Sequence, residues 1–150
     1  MKHTNSQYGN LILMALLSFI SMYILMYMMV DKFDNVYSNF NQFYMAGMMT
    51  APMIIIELLL MRSMYPAKII NILIILFSIV LLILFITGIR QQAGISDKQF
   101  LKSMIPHHAA AILMCKKAPL HDSEVKKLCD SIISSQQSEI DWMKKKIDNP

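Results

Sequence analysis

Cysteine, glycine and charge are all scarce in this chain of 150 residues. Two cysteines, Cys115 and Cys129, are too few for a disulfide scaffold, although they allow one bridge. The four glycines form no cluster, so there is no loop to cradle a phosphate. Charged residues make up 16% of the chain and the net charge is +4. The lysines at 116, 117, 126, 127 and 144–146 lie beside acidic residues, which reads as a solvated face and excludes a nucleic-acid partner. No serine or cysteine nucleophile has an obvious base, and no Glu-x-x-His carboxylate pattern of a diiron site occurs. The sequence therefore does not read as an enzyme.

Apolar residues fill the space left by these absences. They form 55% of the chain, and its mean hydropathy of +0.44 is too high for an ordinary soluble domain of this length. They are also segregated into runs that end at Ile89. Leu11 to Val30 carries no charge, and at about 1.5 Å per residue it covers the roughly 30 Å of a bilayer core. It is too long for a signal peptide and lacks a small-residue exit, so it reads as an uncleaved anchor. Phe43 to Met61 is a second run, with Gly47, Pro52 and Glu57 inside it, and Ile69 to Ile89 is a third. The reading is an all-α protein with a membrane domain over 1–90, its spans at about 11–30, 43–61 and 69–89. Lys2, Arg62 and Lys68 outweigh Lys32, which predicts a cytoplasmic N-terminus and an extracytoplasmic C-terminal segment. Glu57 is costly in lipid and should face protein or water, or lie close to the membrane edge. Met45, Met49 and Met53 repeat every four residues, faintly like the methionines of a copper-permeating channel. That spacing arises easily by chance among fifteen methionines.

Residues 91–150 read as a helical hairpin. Ser96-x-x-Gln99 is a capping box that opens a helix over about 97–117, with Pro106 inside it. Ala118 to His121 is a turn, Asp122 or Ser123 is a cap, and a second helix follows over about 123–147. At about 100° per residue, Met104, His107, His108, Met114 and Cys115 share one side of the first helix. Two imidazoles and two thioethers there make a donor set for soft metals. The second helix carries Val125, Cys129, Ile132, Ile133, Gln136, Ile140 and Met143 on one stripe, flanked by Glu139. Antiparallel folding about the turn brings Met104 level with Glu139, His107 with Gln136, and Cys115 with Leu128 and Cys129. Met104, His107, His108 and Met143 are the candidate ligands, suited to Cu(I) or Ag(I) over Zn(II), with Gln136 and Glu139 orienting the imidazoles. The alternative is a core of hydrogen-bonded histidines and methionine filler. Toward the turn, Met114, Cys115, His121 and Cys129 allow a second metal site, a Cys115–Cys129 disulfide, or two buried thiols.

Phe100-x3-Met104-Ile-Pro-His107-His108-x2-Ala111-x2-Met114, followed by Ile132-Ile133-x2-Gln136-x2-Glu139-Ile140-x2-Met143, resembles the family called domain of unknown function 305. The likeness covers about residues 96–148. It implies a ferritin-like helical domain of a secreted or membrane-anchored kind, in a family with some links to copper and silver handling. Larger members resemble two such hairpins in one chain, whereas this sequence has one. A lone two-helix hairpin buries little apolar surface, so self-association into a four-helix bundle, as a homodimer, is expected. The function so implied is sequestration or hand-off of Cu(I) or Ag(I) outside a membrane of the bacterial inner-membrane type. A metal-free scaffold subunit is the second reading, and a small metal transporter the third.

Overall fold

The computed structural model describes residues 2–149 and is helical, with no strand among those residues. The helices are α1 (Lys2–Leu25), α2 (Phe40–Leu60), α3 (Lys68–Arg90), α4 (Asp97–Lys117) and α5 (Ser123–Asp148). Short 3-10 turns at Met26–Met29 and Phe33–Asn35 link α1 to α2. The chain divides into two compact units: Met1–Leu25 with Asn41–Gly94, and Met26–Phe40 with Ile95–Pro150. Residues 26–40 thus belong with the C-terminal hairpin. This departs from the expected division at residue 90, and the reason is packing described below.

Three helical stretches, Gln7–Met29, Phe40–Leu60 and Lys68–Arg90, are long and apolar enough to cross a membrane. Their hydrophobic side chains are largely on the outside: Leu73, Phe77, Ile83 and Leu84 of α3 are all more than half exposed. Water would penalise that surface, whereas lipid would not. What is buried between α2 and α3 is small. A Cβ on Gly47 would clash with the Phe85 ring, and one on Gly88 would meet Tyr44 at 3.3 Å. Phe43 stacks edge-on against Phe19 and Phe85, with centroids 5.1 and 6.1 Å away.

Polar groups tie both ends of this unit. Tyr65 Oη donates to Glu57 at 3.2 Å, Tyr8 Oη donates to Asn71 at 2.6 Å, and Asn71 Nδ2 donates to the Tyr65 carbonyl at 2.8 Å. Glu57 therefore has a donor of its own near the end of α2. Burial, and then the Glu57 carboxylate beside it, hold the Tyr65 phenol above its ordinary value, so it remains a donor. At the other end, Asn41 and Gln92 exchange two amide hydrogen bonds of 3.1 Å each. This pair holds Gln92 at a φ of 50°, the left-handed region that non-glycine residues avoid.

In the second unit, α4 and α5 start where side chains cap them. Ser96 accepts from the Gln99 amide, and Asp122 accepts from the amides of Glu124 and Val125 at 2.7 and 3.0 Å. α4 continues through Pro106, which is buried. Ile105, Ala109, Ile112 and Ile140 are fully inaccessible and form the core with Met143 and Ile147. Val30 and Tyr37 pack against it, so residues 26–40 cover an apolar face that two helices alone would leave open. Gln99 Oε1 adds a bond from the Phe40 amide at 3.2 Å.

Gly47→Val should lower stability by about 1–3 kcal/mol, because Phe85 must leave its place. Thermal unfolding in lipid nanodiscs measures this, and an unchanged melting temperature would show that α2 and α3 do not meet there.

Candidate functional site

The Met/His stripe lies on α4, but its two imidazoles part company. His108 is buried at 9% exposure, while His107 is exposed. Their ring centroids are 6.0 Å apart, with planes at 67°. Adjacent residues on a helix are about 100° apart, so one can face α5 only if the other turns toward solvent. Met104 is half-buried against the core, and Met143 is within it at 5% exposure.

His108 bridges the hairpin. Its Nδ1 lies 2.8 Å from the Met104 carbonyl oxygen and its Nε2 lies 2.6 Å from Glu139 Oε2. A carbonyl only accepts, so Nδ1 carries a proton. Nε2 faces a carboxyl oxygen, so a second proton lies between them, on the ring or on Glu139. Both nitrogens are therefore occupied. The Glu139 side chain is 56% exposed, against 11% for His108, so the acid is the partner that borders solvent. Glu139 reaches His108, one helical turn along α4 from Met104, the residue expected level with it, while the Cys115–Cys129 pairing keeps the expected register. Gln136 Oε1 is buried with no donor and bonds neither imidazole. Among the described residues, no three His, Cys, Asp or Glu side chains converge as a metal cluster.

Toward the turn, Cys115 and Cys129 form a disulfide, with Cα atoms 5.2 Å apart. Both sulfurs are in one covalent bond, so neither is a thiolate. Met114 is 53% exposed and His121 is exposed. The four residues proposed for a second metal site are therefore a disulfide with two solvent-facing neighbours.

The model of a domain of unknown function, DUF305, matches residues 86–147. An uncharacterized protein, L153, of Acanthamoeba polyphaga mimivirus is 35% identical over 141 residues, which span 92% of this chain and 91% of the relative. Residues 86–147 belong to the DUF305 family, and the chain as a whole shares a family with the viral protein. The match to the viral relative runs through the apolar helices as well as the DUF305 hairpin. No solved structure matches.

The disulfide closes a loop between residues 14 apart, a span for which cross-linking is worth about 3 kcal/mol. Cys115→Ser with Cys129→Ser should cost the hairpin about that much. Hydrogen exchange of α4 and α5 measures it, and unchanged protection would show that the bridge adds nothing to the packed core.

Proposed function

We propose that the DUF305 hairpin binds a soft monovalent metal, Cu(I) or Ag(I), outside a membrane in which α1, α2 and α3 are anchored. The observation that carries this reading is His108: a buried imidazole, one turn from the Met104 thioether, whose Nε2 is covered by a solvent-exposed carboxylate. Met104 and Met143 meet in one core, and thioether with imidazole suits a soft ion far better than Zn(II). Met104, Met143 and His108 would hold the ion once Glu139 swings out, and the exposed His107 would take it up from solution. Bound metal would supply a soft cation for sequestration or transfer, and this chain's part is to present the donors and shed a proton from the His108–Glu139 pair. The reading is of a binding protein and not of a catalyst.

Three crossings would carry residues 30–39 and 95–150 to the same side, in keeping with their packing as one unit. The disulfide suits an oxidising compartment, which supports an extracytoplasmic hairpin and a cytoplasmic N-terminus. A second reading, a metal-free docking subunit, is favoured by Trp142, Leu128, Met114 and Phe100, which are 61, 59, 53 and 49% exposed. A second copy that covers them would complete a ferritin-like four-helix bundle.

Titration of the full chain in nanodiscs with Cu(I) against a competing chelator tests the first reading. Met104→Leu with Met143→Leu keeps core volume and removes both thioethers, and His108→Asn removes the imidazole. Submicromolar affinity that falls at least about tenfold in each variant, some 1.4 kcal/mol, supports the metal reading. Affinity equal to that of the native chain in all of them would sink it. Light scattering of the metal-free protein then tests the docking reading: a monomer at all concentrations counts against the four-helix bundle.

A further inference from the structure

Residues 31–35 carry an unusual pair. Asn35 is 2% exposed, and its Nδ2 donates to Asp31 Oδ1 at 2.6 Å. The two remaining oxygens, Asp31 Oδ2 and Asn35 Oδ1, are both buried and receive no donor from the protein. Among the described residues no cationic side chain pairs with Asp31, and the adjacent Lys32 is exposed. A carboxylate oxygen taken out of water without a partner is costly. Both unpartnered atoms are oxygens, and they belong to side chains already in contact, so one positively charged group can satisfy the two together.

We propose that Asp31 and Asn35 bind a hard cation, of the calcium, magnesium or sodium class, which clamps residues 26–40 onto the hairpin. Oxygen donors, one carboxylate and one amide, are the ligands such ions take, and the soft thioether set of α4 does not compete for them. A bridging water would touch both oxygens but leave the carboxylate charge unbalanced. The clamp has a mechanical consequence. Val30 precedes Asp31 and Tyr37 follows Asn35, and these are the residues that cover the hairpin core. A cation between Asp31 and Asn35 therefore fixes the segment that holds the short 3-10 turn of Phe33–Asn35, with the two covering residues on either side of it.

The pair also predicts a distinctive variant. In Asp31→Asn the new amide donates to Asn35 Oδ1 while its oxygen still accepts from Asn35 Nδ2. That is the reciprocal arrangement this protein already uses between Asn41 and Gln92. The variant should hold the loop closed with no ion.

The test is hydrogen exchange across residues 30–39 of the full chain in nanodiscs at pH 7.5. The chain is stripped with a chelator and titrated with calcium, magnesium or sodium chloride against potassium chloride of equal ionic strength. One of these ions should slow exchange in that segment about tenfold when present at roughly ten times its dissociation constant. Asp31→Asn should show the slow exchange from the start and no further response. Three results would overturn the proposal: no ion slows exchange in the native chain, Asp31→Asn still responds to it, or acidification of the ion-free native chain raises the protection of this segment, measured relative to the intrinsic exchange rate at each pH, as much as the ion does. The last would mean that a proton fills the place assigned to the cation.

Discussion

An apolar face must be covered, and the C-terminal unit is built around meeting that demand within one chain. Two helices can hide the residues between them but not those on their outer flank. Ile105, Ile112 and Ile140 are nevertheless inaccessible, because Val30 and Tyr37 lie against the same cluster. The segment between the first two apolar helices thus takes over part of what a second hairpin does in larger bundles. This relation also makes the number of crossings matter. An odd number of spans delivers the cover and the covered face to the same side of a membrane, and an even number would separate them.

The hairpin is fastened at two heights by different chemistry. Near the turn, Cys115 and Cys129 are joined covalently. Farther along, His108 and Glu139 share a proton across the interface. The covalent fastening fixes register without reference to metal or pH. The polar one borders solvent through Glu139, and it is one helical turn along α4 from Met104, which packs against the core that holds Met143.

Much of the architecture was legible in the residues because its signals are local. Ser96 and Asp122 announce the starts of α4 and α5 through cap bonds a few residues long. The three apolar helices declare themselves by length and hydropathy. What could not be read depends on contacts distant in sequence. Residues 26–40 have no periodic pattern, so nothing local marks Val30 and Tyr37 as cover for α4 and α5. The helical wheel placed His107 and His108 on one broad side, but an arc wide enough for both cannot say which of them turns inward. The fate of Cys115 and Cys129 stayed open because their level placement suits a disulfide, two thiols and a ligand pair alike. Glu57 was expected to face protein, water or the membrane edge, but its donor, Tyr65, could not be named because it lies beyond the end of its own helix.

The cover is older than what it covers. During synthesis Val30 and Tyr37 are made before α2, α3 and the hairpin, so the core they cover does not yet exist while two further apolar helices are made. The C-terminal unit closes only when Ile140, Met143 and Ile147, near the end of the chain, have emerged. A chain truncated before α5 would keep all its apolar helices and yet leave that early segment bare. Formation of the three apolar helices and completion of the hairpin are therefore separate events, and the last few turns of α5 act as the seal on the C-terminal unit.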